Sequence, residues 1–362
     1  MSNPYKPAAQ TLDSQALADV REQLEVWAKE LGFDALGVAD AELTQPEKRL
    51  QAWLDAGHHG EMSWMQAHGR KRSHPEELVP GTVRVITVRM NYLSTTQGEA
   101  LSNLADPERA YIARYALGRD YHKLIRKRLQ RLASRLEDSV GPTGYRVFCD
   151  SAPVLEKPLA AKAGLGWVGK HSLVLDRTAG SWFFLGEVYT DLPLPVDRPV
   201  SAHCGSCTRC IDVCPTQAIV APYQLDARRC IAYLTIEHTG PIPEPLRPLI
   251  GNRVFGCDDC QLVCPWNRHA QKSREAAFMP RDSLRAPQLA ELFDWDEARF
   301  LHETEGNPLR RTGYTGFLRN VAVALGNAPR SEQARSALDN RRDDPSELVR
   351  EHVNWALERQ TR

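Results

Sequence analysis

Apolar residues recur at three- and four-residue steps near the start of the chain, at Leu17, Val20, Leu24, Trp27 and Leu31. This spacing puts them on one face of a helix, so the sequence predicts an amphipathic helix over residues 12–31. A second helix is predicted over 107–138, after a proline. Valine-rich and aromatic runs predict strands at 33–39, 83–90, 145–149, 172–175 and 182–189. Because the two patterns alternate as far as residue 195, we expect an α/β or α+β domain built around one sheet.

The last part of the chain carries helical patterns of its own, beyond a proline-rich run at 192–200 that reads as a linker. One apolar stripe occupies Leu318, Val321, Ala322 and Leu325. A similar stripe returns roughly thirty residues later, at Val349, Val353, Ala356 and Leu357. The two segments predict a short α-helical repeat of the HEAT type, although two copies are few enough to arise by chance.

The composition of the 362-residue chain excludes several classes of protein. Basic and acidic residues number 46 each, so no overall charge attracts nucleic acid or an anionic membrane. No apolar run reaches the ~18 residues that a membrane-spanning helix needs. Residues 1–20 lack the basic and apolar blocks of a secretory signal. We therefore expect a cytoplasmic protein, in which clustered cysteines bind metal rather than form disulfides.

Eight of the nine cysteines lie between positions 204 and 264 and predict two 4Fe–4S clusters. The first run has the spacing of a bacterial ferredoxin, whose last cysteine crosses to the other cluster. The second run lacks the first cysteine of that motif, because Val254 stands there, and Cys230 can supply the missing ligand. The crossover rule assigns one cluster to Cys204, Cys207, Cys210 and Cys264. It assigns the other to Cys214, Cys230, Cys257 and Cys260.

The alternative is that the eight cysteines bind two zinc ions, but their spacing fits paired zinc knuckles poorly. The ninth cysteine, Cys149, is expected to be a buried thiol and not a ligand. Two clusters alone indicate electron transfer and nothing more. The segments around them narrow the function further.

The order of several motifs resembles the epoxyqueuosine reductase family over nearly the whole chain. The motifs are ARYALGRDYHKLIRKRL (113–129), DSAPVLEKPLAAKAGLGWVGKHSLVL (150–175), GSWFFLGEVYT (180–190), HCGSCTRCIDVCPTQAI and GNRVFGCDDCQLVCPWN (251–267). The resemblance implies a nitroreductase-like cobalamin-binding domain at 1–195, a ferredoxin-like two-cluster domain at 196–275 and a HEAT-like helical domain at 276–362.

The resemblance also implies the reaction, which is two-electron reduction of the epoxide of epoxyqueuosine to queuosine at the wobble position of tRNA. Electrons would pass through two 4Fe–4S clusters to cobalamin. The substrates would be the tRNAs for Asp, Asn, His and Tyr. By analogy, the electron donor would be a flavodoxin or a ferredoxin, and the protein a monomer.

Asp150 is the expected proton donor. It follows an apolar strand, as catalytic groups commonly do, and the family's proton donor falls on it. We expect burial beside the corrin to raise its pKa and keep it protonated near neutral pH. The alternative is that Asp150 caps the next helix.

Matching positions to the family places further residues at the cobalamin and at the tRNA. The cobalamin contacts would be Arg72, Ala113, Asp150, His171, Val174, Leu185, Asp258 and Asp259. The tRNA contacts would be His238, Arg310, Arg311 and Arg319. Residues 109–135 add nine basic side chains and one acid, a pattern that favours phosphate binding over an ordinary solvated helix face.

Two other functions remain open from the sequence. A corrinoid reductive dehalogenase also pairs cobalamin with two cubanes, but it would typically carry a twin-arginine signal and no HEAT-like tail. A plain electron-transfer module or a maturation factor would have no need of the motifs in the first 190 residues.

Overall fold

The computed structural model describes residues 12–361. Up to residue 190 the helices are α1 (Ser14–Glu30), α2 (Thr44–Asp55), α3 (Pro75–Leu78), α4 (Gln97–Ala105), α5 (Tyr121–Val140) and α6 (Glu156–Lys162). The strands of this part are β1 (Ala35–Asp40), β2 (Arg84–Asn91), β3 (Tyr111–Ile112), β4 (Tyr145–Phe148), β5 (Trp167–Val168), β6 (Val174–Leu175) and β7 (Phe183–Thr190).

One four-stranded antiparallel sheet, in the order β1-β2-β7-β4, organises this part of the chain. Helices α1 and α5 cover one face, where Leu24, Ile125 and Val188 belong to one buried cluster. Helix α6 covers the other face, with Leu159 packed among a separate cluster that includes Tyr189. The expected mixture of helices around one sheet is therefore confirmed.

The helix predicted over 107–138 is wrong at its beginning. Residues 111–112 form β3, a short 3-10 turn follows at 114–116, and α5 starts only after Asp120, whose side chain accepts a hydrogen bond from the His122 amide at 2.9 Å. A Cβ at Gly118 would lie 2.7 Å from the backbone of Phe278, so another segment of the chain packs closely against the residues before α5. Tertiary packing overrides the local helical pattern here.

The cysteine-rich part contains the helices α7 (Arg209–Asp212), α8 (Ile231–Ile236), α9 (Arg247–Ile250) and α10 (Asp259–Leu262), and the strands β8 (Ile219–Ala221), β9 (Gln224–Leu225) and β10 (Arg253–Phe255). Strand β10 pairs in parallel with β3, which comes from the first part of the chain. The boundary predicted near residue 195 is thus crossed by a strand pair.

The predicted linker at 192–200 is anchored to the first part of the chain. Leu192 and Leu194 are buried in its core. The Asp197 carboxylate accepts hydrogen bonds from the Val38 amide at 2.7 Å and from the Arg21 guanidinium at 2.8 Å. These contacts fix how the cysteine-rich part leaves the sheet.

The last part of the chain is helical, with α11 (Leu289–Phe293), α12 (Glu297–Glu303), α13 (Gly313–Asn327), α14 (Glu332–Asp339) and α15 (Glu347–Thr361). The predicted stripes face each other: Leu318, Val321 and Leu325 on α13 lie in the same buried cluster as Val349 and Val353 on α15. Within residues 12–361, no helix combines the length and apolar character that a bilayer crossing requires.

Candidate active site and iron–sulfur centre

The eight clustered cysteines form two neighbouring groups in space. Burial raises the pKa of the Cys210 thiol to about 11, and the neighbours that raise it further are Cys264, Cys204 and Cys207. Burial likewise raises the pKa of the Cys260 thiol, and the charges of Cys230, Cys210 and Cys214 raise it further. The charge of Cys260 in turn raises the pKa of the Cys257 thiol. Most of these neighbours belong to the same set in the assignment from the ferredoxin spacing, while Cys210 acts on Cys260 across the two sets.

The two groups lie close to each other, because the charge of Cys210 raises the pKa of Cys260. Across the described part of the chain, no three His, Cys, Asp or Glu side chains converge on a point that would hold a single metal ion. A cubane makes no such demand, since it distributes its thiolates over separate iron atoms. The ninth cysteine, Cys149, is fully buried and donates weakly to the Leu185 carbonyl at 3.6 Å.

A cavity of about 910 Å³ opens where all three parts of the chain meet. The start of α6, the segment 62–72, the turn before α5 and the residues 307–311 contribute to its walls. Asp150, Arg72, Arg310 and Arg311 line it, so four of the predicted site residues come together here. Met62, Trp64 and Met65 give one wall an apolar and aromatic character.

Asp150 is positioned by the beginning of α5. Its Oδ2 accepts hydrogen bonds from the Tyr121 hydroxyl at 2.7 Å and from His122 Nε2 at 2.9 Å. The other ring nitrogen of His122 lies 2.7 Å from Asp120 Oδ1, which makes an Asp120–His122–Asp150 chain. The carboxylate therefore does not cap α6, and the capping alternative is wrong. Asp150 has a φ of 58°, a left-handed conformation that aspartate tolerates better than most residues.

The expected raised pKa of Asp150 is wrong in this arrangement. Burial alone would raise it, but the hydrogen bonds from His122 and Tyr121 outweigh burial and hold the pKa of the carboxyl below its usual value. The proton instead resides on His122. Burial alone would lower the pKa of that imidazole, but its bonds to Asp120 and Asp150 raise it to about 9.

Two glutamates behind Asp150 were not predicted from the sequence. The Asp150 amide donates to Glu156 Oε1 at 2.5 Å. Burial and the nearby Asp150 carboxylate raise the pKa of Glu156 to about 7. Glu187, on β7, is fully buried, and burial together with Glu156 raises its pKa well above normal. One signal was available, because Glu187 is the single charged residue in the apolar run FFLGEVYT.

The other predicted cobalamin contacts do not line the large cavity. Val174 is buried beneath α6, Leu185 packs against the same cluster, and Ala113 lies close to Gly256. His171 is buried with its Nε2 unpartnered among the described residues. Burial, helped by the charge of Lys157, lowers the pKa of His171 to about 4, so its ring is neutral.

Asp258 and Asp259 are buried and engaged by the protein itself. Asp258 Oδ2 accepts from the Tyr111 hydroxyl at 2.9 Å and from the Arg114 amide at 2.8 Å. Asp259 pairs with Arg253, whose guanidinium donates to both carboxylate oxygens. Asp258 therefore joins the cysteine-rich part to the sheet domain, whereas the pair of Asp259 and Arg253 lies within the cysteine-rich part.

Three of the four predicted tRNA residues gather near one rim of the cavity. Arg310 is exposed, and Arg311 pairs with Glu237 through two hydrogen bonds of 2.8 and 2.7 Å while lying over the Trp64 ring. His238 Nδ1 lies 3.1 Å from Glu61 Oε1. Arg319 differs, because it is buried and donates to the carbonyls of Leu234, His238 and Gly240. It supports the His238 loop and offers no charge to solvent.

The basic stretch at 109–135 is less available than its sequence suggests. Arg114 is buried and lies over the Trp182 ring. Arg128 pairs with Glu275, and Arg135 pairs with Glu30 at 2.5 Å. Lys123, Lys127 and Arg131 remain exposed on α5.

Comparison with known proteins supports both the cluster domain and the cavity domain. A family model described as "4Fe-4S double cluster binding domain" matches residues 203–267, a range that contains all eight clustered cysteines. A second model, "Epoxyqueuosine reductase QueG, DUF1730", matches residues 72–151.

Curated relatives match across nearly the full length. Proteins named epoxyqueuosine reductase from Xanthomonas campestris and Pseudomonas aeruginosa are both 60% identical to the chain. The alignments cover 94% and 98% of this chain and 96% and 98% of the relatives. The enzyme of the same name from Escherichia coli is 54% identical over 97% of this chain and 92% of its own. None of these three carries the name of a dehalogenase or of a plain electron carrier.

Solved structures agree with the sequence matches. A crystal structure of epoxyqueuosine reductase with an epoxyqueuosine-modified tRNA-Tyr stem loop has a TM-score of 0.86 at 28% identity, covering 94% of this chain and 90% of that chain. A Bacillus subtilis epoxyqueuosine reductase, solved with its catalytic aspartate loop swung out of the active site, has the same TM-score, identity and coverage.

Proposed function

The chain belongs to the epoxyqueuosine reductase family, and from this premise we propose which of its residues perform each part of the reaction. The activity is reduction of the epoxide of epoxyqueuosine in tRNA to the alkene of queuosine. The reaction consumes two electrons and two protons and releases the oxygen as water. Identity of 54–60% to relatives with this activity, over nearly the whole chain, is the observation that carries the assignment.

The cysteines hold the two 4Fe–4S clusters of the double-cluster domain. We assign the first to Cys204, Cys207, Cys210 and Cys264, and the second to Cys214, Cys230, Cys257 and Cys260. The family also uses cobalamin, which when bound couples single-electron transfers to a two-electron change at carbon.

The walls of the 910 Å³ cavity fit a large ring with polar side groups. Their apolar part comes from Met62, Trp64 and Met65, and the buried Nε of Arg72 has no partner among the described residues. Arg72, Asp150 and Lys157 would contact such a cofactor directly. The other predicted contacts lie outside the cavity lining and would support its walls. They are Ala113, His171, Val174, Leu185, Asp258 and Asp259.

Asp150 delivers a proton to the epoxide oxygen, and His122 supplies it. At neutral pH the imidazolium of His122 holds a proton on Nε2, 2.9 Å from Asp150 Oδ2. Asp120 keeps the ring oriented and charged through the other nitrogen. As charge develops on the leaving oxygen, Asp150 passes this proton forward, and the imidazole is then recharged from the open side of the cavity.

The tRNA approaches over Arg310, Arg311 and His238, while Arg319 acts indirectly by holding the His238 loop. The anticodon loop would be recognised mainly through its splayed, modified base. The acceptors would be the tRNAs for Asp, Asn, His and Tyr, and the donor a flavodoxin or a ferredoxin. We further propose a cytoplasmic monomer with a nitroreductase-like sheet domain, a ferredoxin-like cluster module and a HEAT-like tail.

The substitution Asp150→Asn tests the proton role. Asparagine keeps the left-handed backbone available but cannot transfer a proton, so turnover should fall at least about a hundredfold. Queuosine and epoxyqueuosine are measured in tRNA by mass spectrometry, and bound iron and corrin by absorption. The exposed Asp138→Asn is the matched control and should retain full activity. Near-normal turnover of Asp150→Asn with intact cofactors would remove Asp150 from the reaction.

A further inference from the structure

The two cysteine groups differ in their access to solvent. Cys207 of the first group is exposed, together with the loop from Gly205 to Arg209. The second group lies toward the large cavity. Lys157 lines that cavity, and the charges of Cys260 and Cys230 act to raise its pKa against the effect of burial. The first group is therefore the one that a protein at the surface can approach, and the second is the one nearer the large cavity.

A hollow of about 580 Å³ lies beside the exposed group. Its floor is apolar and includes Val213, Leu262 and Val263, with Cys264 of the first group in its wall. Arg209 and Arg268 stand at its rim. We call the surface formed by the hollow, these two arginines and Cys207 the outer-cluster face.

The two rim arginines are exposed, and neither guanidinium makes a hydrogen bond or an ion pair with any described residue. The one acid in the lining, Asp212, accepts a hydrogen bond from the Thr208 hydroxyl at 2.7 Å. Arg177 adds a third exposed cation nearby, donating to the ring of His203, the residue before Cys204. An apolar floor with a cationic rim is therefore presented where the first group reaches the surface.

We propose that the outer-cluster face is the docking site of a small acidic protein that carries one electron at a time. This proposal rests on the proposed function and names the surface that its electron donor uses. Charge of opposite sign steers such encounters and raises their rate. Small, transient interfaces are typical of electron-transfer pairs, so a hollow of this size is sufficient.

The electron count fixes how often the face is used. A flavodoxin hydroquinone that docks here is oxidised to its semiquinone, and the first cluster is reduced by one electron. The electron moves to the second cluster, and a second encounter supplies the other electron that each epoxide requires. The protons reach the epoxide oxygen separately, from the Asp150 side.

A tRNA is the other polyanion that an arginine rim could attract. The large cavity, however, shares no lining residue with the hollow, and its own rim carries Arg310 and Arg311. The substrate and the donor can thus occupy separate surfaces at the same time. An enzyme that needs two donor encounters for each bound tRNA benefits from this separation.

The test reverses the rim charges in the holoenzyme, as Arg209→Glu with Arg268→Glu. Cluster reduction by flavodoxin hydroquinone is followed by stopped-flow absorbance at several salt concentrations. We expect the bimolecular rate to fall at least about tenfold at low salt and to lose its decrease with rising salt. Turnover driven by dithionite, which is small and needs no docking, should be unchanged, as should tRNA affinity. The cluster potentials are measured by redox titration, so that a change in driving force is separated from a loss of docking.

The control pair is Lys48→Glu with Arg330→Glu, which changes net charge equally at two exposed, unpaired sites elsewhere. It should leave the flavodoxin rate within about twofold of the parent. If the glutamates disturb the module, glutamines at the same positions give the smaller, same-direction effect. An unchanged flavodoxin rate, or lost tRNA binding with normal cluster reduction, overturns the proposal. Failure of the parent to reduce epoxyqueuosine with dithionite would instead count against the function, because cluster reduction is measured without tRNA.

Discussion

At the scale of single residues, the proposed reaction separates the group that holds the proton from the group that would deliver it. Asp150 faces the cavity with a lowered pKa, while His122 behind it carries a positive charge because two carboxylates flank its ring. Tyr121 stacks on Phe184 at 3.7 Å between ring centroids and keeps the pair in place. The ability of the site to donate a proton thus depends on the hydrogen-bonded side chains of Asp120, His122 and Asp150 together.

His122→Gln tests this division. The pKa of His122 is raised to about 9, so its protonated form persists at neutral pH and is lost as pH rises through 9. We expect kcat of the parent to decline above about pH 9. The kcat of the variant should be about 10²- to 10³-fold lower and should not decline further above pH 9.

The matched control is His302→Gln, since the His302 side chain is 84% exposed. The pH profile of queuosine formation is the measurement for both variants. A His122→Gln enzyme that kept the alkaline limb of the parent would show that another group supplies the proton.

The sequence predicted the residues whose role depends on local spacing and missed those defined by distant neighbours. Seven of the eight cysteines were assigned from gaps of two and three residues, and Cys230 was added to complete the second set. Asp150 was predicted from its place at a strand end together with the family resemblance. The direction of its pKa could not follow, because His122 lies 28 residues earlier in the chain. Arg319 looked like a phosphate contact for the same reason, since only folding reveals its three carbonyl acceptors.

At the scale of elements, the long helix α1 was predictable and the two-residue strand β3 was not. Helix α1 was expected over 12–31 and is found at Ser14–Glu30, because its apolar stripe is continuous. Strand β3 has two residues, too few for a period to be visible, and its partner β10 comes more than a hundred residues later. A pattern of that length carries no information about which strand will pair with it.

The contact between α13 and α15 depends on a glycine. A Cβ at Gly326 would lie 2.5 Å from the Trp355 ring and 2.9 Å from the Ala356 Cα. Gly326→Ala should therefore lower the free energy of unfolding by about 1–3 kcal/mol, because the two helices must move apart. The lower melting temperature would be measured by circular dichroism.

Gly316, three turns earlier on α13, is the matched control for that substitution. Its nearest neighbour to an added Cβ is Thr312 at 3.5 Å, an ordinary contact. Gly316→Ala should raise stability by about 0.5–1 kcal/mol, as alanine favours a helix over glycine. Equal effects at both positions would show that helix propensity, and not the α15 contact, governs this helix.

At the scale of the whole molecule, the three parts of the chain are interlocked. The cysteine-rich part completes the β3–β10 pair, and Asp258 is held by Tyr111 and Arg114 of the sheet domain. Asn320 of α13 donates to the carbonyls of Thr235 and Val254, so the helical tail is fastened to the same segment. The large cavity lies where these three parts of the chain meet.

A fragment of residues 196–275 should therefore fail to assemble both clusters by itself. Without β3, the buried Asp258 loses its donors and β10 loses its partner, which costs on the order of several kcal/mol in a small module. Iron content per chain after anaerobic reconstitution is the measurement, with the full chain prepared in parallel. A fragment that bound about eight irons would show the cysteine-rich part to be autonomous.

The exposure of Cys207 has a chemical consequence apart from catalysis. A surface that lets a protein hand over electrons also admits dioxygen, which attacks iron and sulfide wherever it reaches them. The first cluster, at the surface, would be oxidised and degraded before the second cluster, which the cavity wall and the sheet domain shield. Protein handled in air would then keep roughly half its iron. It would remain folded but could no longer accept electrons from its donor.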